Sequence, residues 1–173
     1  MPSDPLITYD ASLDPAGSQL VASFVTPNSG IEVVQGSVNL SASAASAVSL
    51  YDGSLSLGIG AGLLLTSGTA PGLSNTVGWF GTDNTQYLPD GTPVSYNNGS
   101  AAIDAVVNTV FQTQSFDATT LSFDFTVTDP TATSVSFDIV FGSEEYPEWV
   151  DQFVDCAVVI VNGINYAYFA HDT

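Results

Sequence analysis

The chain has 173 residues, 45 % hydrophobic and 11 % aromatic, enough apolar material for one sizeable core and too much for a disordered chain. It carries 18 Asp and Glu but no Lys or Arg, a formal charge of −18 at pH 7. With no basic side chain to neutralise phosphate, nucleic-acid binding and attraction to an anionic membrane are excluded, and no apolar run is long enough for direct membrane insertion.

Asp14-Pro15, followed by Leu20, Val21, Phe24 and Val25, predicts a short helix with Asp14 as its cap and Pro15 in its first turn. Ile31 to Val34 and Val38 to Leu40 read as strands. Gly and Ser dominate from Ser41 to Gly62, although Leu55, Leu57 and Ile59 alternate there, and Gly62 to Gly68 is an apolar strand bounded by glycines. Residues 71–99 are rich in Gly, Asn, Asp, Thr and Pro and form the longest irregular connection, a length that often carries function.

Ser100 caps a second predicted helix, with Ile103, Val106, Val107, Val110 and Phe111 on one face. The period then changes to two. Leu121, Phe123, Phe125 and Val127 alternate with Ser122, Asp124, Thr126 and Thr128, and after an Asp129-Pro130 turn Val135, Phe137, Ile139 and Phe141 repeat the pattern. Cys156 to Val161 is apolar on both faces, which predicts a central strand and a buried, inert thiol. Asn162-Gly163 is a two-residue hairpin signal, with Ile164 to Ala170 as the returning strand. The expected fold is mainly β: a β-sandwich-like antiparallel domain with two short α-helices, one unit over residues 1–173. Because the chain stops directly after a strand-like segment, a domain truncated at its C-terminus is expected.

The segment from Asp138 to Asp155 concentrates acid: Asp138, Glu144, Glu145, Glu148, Asp151 and Asp155 are six of the 18. No carboxylate can find a basic side chain, so close carboxylates must stay in water, keep a proton or share a cation. Two adjacent carboxylates such as Glu144 and Glu145 repel by ~1 kcal/mol in water. A hard divalent cation removes that cost, and calcium takes six to eight oxygens, whereas zinc and copper favour the sulfur and imidazole ligands that this chain nearly lacks. The alternative is a solvated acidic turn that keeps a sheet edge soluble. On composition the two stand about even, and no EF-hand loop is present.

Phe141-Gly142-Ser143-Glu144-Glu145-Tyr146-Pro147-Glu148-Trp149-Val150, followed by Phe153-Val154-Asp155 and Asn162-Gly163, resembles the core signature of the choice-of-anchor L domain family. Asn28 to Val33, Gly62 to Gly68 and Leu121 to Phe125 are similar to further family segments in the same order, so the resemblance covers most of the chain. It implies a bacterial surface or secreted protein, hence an extracellular or cell-surface location. It also implies kinship with the peptide-binding domains of large bacterial RTX adhesins, in which calcium helps to organise a ligand pocket. Carried over by motif, Glu144, Glu145 and Asp155 are the foremost calcium ligands, and Asp151 and Asp124 are secondary ones. The chain departs from the family at Cys156, where an apolar or aromatic residue usually follows the Asp. The function implied is calcium-dependent adhesion to a peptide or protein ligand on another cell.

Two other classes compete. A carbohydrate-binding module would stack Trp79, Phe80, Tyr87, Tyr96, Tyr146 and Trp149 on sugar rings, with Asp83 and Asn84 making polar contacts; in the peptide reading Tyr146, Trp149, Trp79, Asp83 and Asn84 line the ligand site. A glycoside hydrolase would need two carboxyls at a set separation in unequal environments, which adjacency does not supply. No Gly-x-Ser-x-Gly element is present and His171 is the sole histidine, so the expectation is a binding domain and not an enzyme.

Overall fold

A computed structural model of the protein describes residues 6–42, 47–54, 58–67, 98–142 and 155–167. In chain order these contain β1 (Leu6–Thr8), α1 (Ser18–Phe24), β2 (Ile31–Val33), β3 (Asn39–Ser41), β4 (Val48–Tyr51), β5 (Gly62–Leu65), α2 (Ala101–Phe111), β6 (Thr120–Ser122), β7 (Phe125–Val127), β8 (Ile160–Val161) and β9 (Ile164–Asn165). The protein is mainly β, sandwich-like and antiparallel with two helices, as its periodicity predicts, and no sheet among the described residues closes into a barrel.

The strands form one sheet in the order β1-β4-β5 and three two-stranded ribbons, β2-β7, β3-β6 and β8-β9. The core lies where the three-stranded sheet, α1 and the β3-β6 ribbon meet. Tyr9, Leu20 and Val48 are its buried centre. Leu50 and Leu63, a cross-strand pair of the sheet, pack on them, as do Leu40 and Leu121, a cross-strand pair of the ribbon. Phe24 at the end of α1 adds an aromatic seam, its ring centroid 4.9 Å from that of Phe123, which lies 6.2 Å from that of Phe125.

The central strand is β4, not the segment from Cys156 to Val161. β4 is flanked by β1 and β5, and Val48, Ser49 and Tyr51 are all buried, so both of its faces are covered. In the other segment only Ile160 and Val161 form a ladder, and among the described residues they pair with β9 alone; Cys156 is exposed. Apolarity on both faces is necessary for a central strand, but so is a partner on each side. Ser49 carries the one anomaly: among the described residues its buried hydroxyl has no hydrogen-bond partner. Leaving such a group unsatisfied costs stability. Ser49→Ala is therefore expected to raise the unfolding free energy by about 1 kcal/mol, read by urea denaturation with an unchanged m-value.

The first helix starts later than predicted. Pro15 lies outside it, and its N-cap is Gly17 at φ +67°, which has no side chain to cap with. Asp14 still caps, from further back: one carboxylate oxygen accepts from Ser18 N (2.8 Å) and the other from Gln19 N (2.9 Å) and Leu20 N (3.0 Å). The second helix starts where predicted, with Ser100 Oγ accepting from Ile103 N. Val107 is buried on it, but Phe111 is exposed.

The single strand expected from Leu121 to Val127 is two. Between Val33 and Asn39 lie five residues, opposite only Phe123 and Asp124, so the register shifts between the ribbons. Ser37 pins this bulge: its Oγ accepts from Asp124 N (3.0 Å) and donates to Val34 O (2.7 Å). The in–out alternation survives the break, because Leu121, Phe123 and Phe125 are half-buried while Ser122, Asp124 and Thr126 are exposed. The strand expected from Val135 to Phe141 forms no ladder among the described residues, and Val135, Phe137, Ile139 and Phe141 stand exposed. Alternation supplies two chemically distinct faces but not the backbone partner that makes a strand.

Candidate functional site

The acidic segment is described at its two flanks. Asp138 lies on the exposed stretch that follows β7, and Asp155 is exposed just before β8. Glu144, Glu145, Tyr146, Trp149 and Asp151 lie outside the described residues, as do Trp79, Asp83 and Asn84. Asp124 sits at the break between β6 and β7. Its main chain is held there from both sides, since Val34 N donates to its carbonyl (2.9 Å) and its own N–H donates to Ser37 Oγ, while the side chain falls on the exposed face. Among the described residues, no three of His, Cys, Asp and Glu gather closely enough to hold a metal.

Five of the described carboxylates find a different partner. Asp10 accepts from Ser12 N and Oγ, Asp52 from Ser54 N, Asp104 from Ser115 N and Oγ, and Asp129 from Thr131 N and Oγ1, at 2.6–2.9 Å. Asp14 accepts three backbone N–H bonds of α1 and the hydroxyl of the core residue Tyr9 (3.2 Å). Backbone N–H and hydroxyl donors thus take the place of the missing basic side chains, an outlet beyond water, a proton or a metal. The signal is present in the sequence: Asp10-Ala11-Ser12, Asp52-Gly53-Ser54 and Asp129-Pro130-Thr131 share an Asp-x-Ser/Thr pattern that favours such turns.

These bonds stabilise the charged form. Hydrogen bonds from Ser12, Ser54, Ser115 and Thr131 hold Asp10, Asp52, Asp104 and Asp129 below the usual carboxylate range. At Asp14, partial loss of hydration pushes upward, but the N–H groups of Leu20 and Ser18, the Tyr9 hydroxyl and Gln19 N–H outweigh it and leave the group low. Tyr9 moves the opposite way: burial, its hydrogen bond to Asp14 and the charges of Asp14 and Asp10 raise its phenol. A carboxyl whose folded pKa lies below its unfolded value of ~3.9 stabilises the fold above that value and loses the contribution as pH falls through the folded pKa. Asp14→Asn is therefore expected to be less stable than the wild type at pH 7. The gap should narrow as the pH falls below about 4, measured by chemical denaturation at each pH.

Cys156 is exposed, contrary to the buried thiol expected from its apolar neighbours. Partial desolvation and the adjacent charge of Asp155 nevertheless push its pKa up. A raised thiol pKa does not suit an activated nucleophile.

Comparison with curated proteins and with solved structures finds no match. The family model of the choice-of-anchor L domain matches residues 9–170, which include β2 to β9, both helices and the whole acidic segment. No helix among the described residues is long and apolar enough to cross a membrane. The chain belongs to the choice-of-anchor L domain family, whose members are in general cell-surface or secreted proteins.

Proposed function

We propose that the chain is a calcium-dependent ligand-binding domain of a bacterial surface or secreted protein, which recognises a peptide or protein on a partner cell. The observation that carries this reading is the Glu144-Glu145 pair, set in a chain of 18 acids and no bases and within the residues matched by the family. Asp10, Asp14, Asp52, Asp104 and Asp129 each accept nearby N–H or hydroxyl donors and are committed to turns and helix starts. The chain's donors are overwhelmingly hard carboxylate oxygens, with one histidine and one cysteine, a set that suits calcium and not zinc or copper. Glu144, Glu145 and Asp155 would hold the ion, with Asp151 and Asp124 as further oxygens. Bound calcium would supply the positive charge that the chain lacks, and with it an attachment point for a carboxylate on the ligand. Tyr146 and Trp149 are near enough in sequence to line such a pocket, and Trp79, Asp83 and Asn84 would complete it. The reading is of a binding module and not of an enzyme.

The test is a pair of arrays, one of peptides and one of glycans, each probed with calcium and with chelator. Calcium-dependent capture on peptides is the expected result. Capture confined to glycans would assign a carbohydrate-binding module instead, and capture indifferent to chelator would contradict the role of the metal.

A further inference from the structure

We infer that Asn162 is a self-modification site, at which the side-chain amide is lost by attack from the backbone of the β8-β9 turn. The chain has two Asn-Gly steps, Asn98-Gly99 and Asn162-Gly163, and the structure treats them oppositely. At the first, Asn98 Nδ2 donates to Ala118 O (2.7 Å) while Asn98 O accepts from Ala118 N (2.7 Å). The space beside Gly99 is filled as well: a Cβ built there would lie 2.9 Å from Ser115 O. At the second, Asn162 and Gly163 are both exposed, nothing lies within 4 Å of where a Gly163 Cβ would stand, and among the described residues neither the Asn162 amide nor the Gly163 N–H has a hydrogen-bond partner.

The chemistry balances without a cofactor. The Gly163 nitrogen forms a bond to Asn162 Cγ, and the Cγ–Nδ2 bond breaks. The Gly163 amide proton passes through water to the departing group, which leaves as ammonia. Water then opens the five-membered imide at either carbonyl, giving Asp or its β-linked isomer. The two products differ in consequence. Asn162 and Gly163 occupy the left-handed region at φ +51° and +82°, a type I′ turn that Asp-Gly also adopts. The β-linked isomer places an extra methylene in the main chain and cannot hold the Val161–Ile164 register. That register also positions Asn165, whose side-chain oxygen accepts from Val159 N and Ala167 N. Either product adds a carboxylate to a chain with no base to offset it.

The test is incubation of the full chain at mildly alkaline pH and 37 °C, with peptide mapping by mass spectrometry over time. Conversion of Asn162 is expected to run roughly tenfold or more ahead of Asn98, the factor that corresponds to breaking one net hydrogen bond before Asn98 can react. Asn162→Gly, which keeps a Gly-Gly turn of the same type, should leave Asn98 as the slow remaining Asn-Gly site. Equal rates at the two steps, or no conversion at Asn162 while Asn98 converts, would overturn the inference. So would complete stability of both sites while a flexible Asn-Gly peptide in the same tube reacts.

Discussion

Leu20→Ala is expected to lower the unfolding free energy by about 3 kcal/mol, the usual cost of emptying a leucine site whose surroundings relax only partly. For a chain of this length that is a fall of roughly 6–12 °C in Tm. Leu20 is 1 % exposed and forms the buried centre with Tyr9 and with Val48 of the sheet, against which Leu40 and Leu121 of the ribbon pack. It is also the residue through which α1 is anchored. A helix of seven residues is not stable by itself, so α1 depends on this burial and on the Asp14 carboxylate at its start. Leu13, at 81 % exposure, is the control: Leu13→Ala should change stability by less than about 0.5 kcal/mol. Thermal melts of the two variants check both, and equal effects would show that the core is not centred on α1.

Gly53→Ala is expected to cost about 2–3 kcal/mol for a reason unrelated to burial. Gly53 has φ +82°, and a Cβ there would sit 2.8 Å from Ala61 N and 3.1 Å from the Gly60 carbonyl carbon. Both neighbours are backbone, so no side-chain rotation relieves the contact. The position lies between β4 and β5, within the turn that Asp52 holds through Ser54 N, and a shift there pulls on the central strand. Gly36→Ala is the comparison: φ is +77°, but nothing lies within 4 Å, so only the conformational cost remains. Urea denaturation should rank Gly53→Ala well below Gly36→Ala in stability, and equal values would mean that the approach to residues 60 and 61 carries no energy.

Local chemistry was the most legible part of the sequence. Ser100 at the start of α2, Asn162-Gly163 as a type I′ turn and the alternation from Leu121 to Thr126 are each fixed by neighbours a few residues away, and each appears in the structure as expected. Features set by distant residues were not legible. β4 was hidden because Val48-Ser49-Leu50-Tyr51 follows a Ser- and Ala-rich run and owes its burial to β1 and β5, 41 residues upstream and 11 downstream in the pairs Thr8–Ser49 and Tyr51–Gly62. Cys156 to Val161 erred the other way: its apolar side chains suggested a centre that its pairing does not supply. In the candidate site, the sequence identified the acids but not that Asp10, Asp14, Asp52, Asp104 and Asp129 are occupied by N–H and hydroxyl donors. The family match spans residues 9–170, which contain the motifs from Asn28 to Gly163.

The measurement that bears most directly on the proposed function is the melting temperature of chelator-stripped protein with and without 5 mM calcium, alongside the Glu144→Gln/Glu145→Gln variant and a magnesium control. At the ~0.1 mM affinity of extracellular calcium modules, 5 mM calcium stabilises the native state by about 2 kcal/mol, a rise of roughly 5–9 °C for a chain of this size. The expected result is that rise in the wild type with calcium, its loss in the double variant, and a smaller rise with magnesium from screening of the net charge. No shift in the wild type, or an equal shift in the variant, would contradict a calcium site at Glu144 and Glu145.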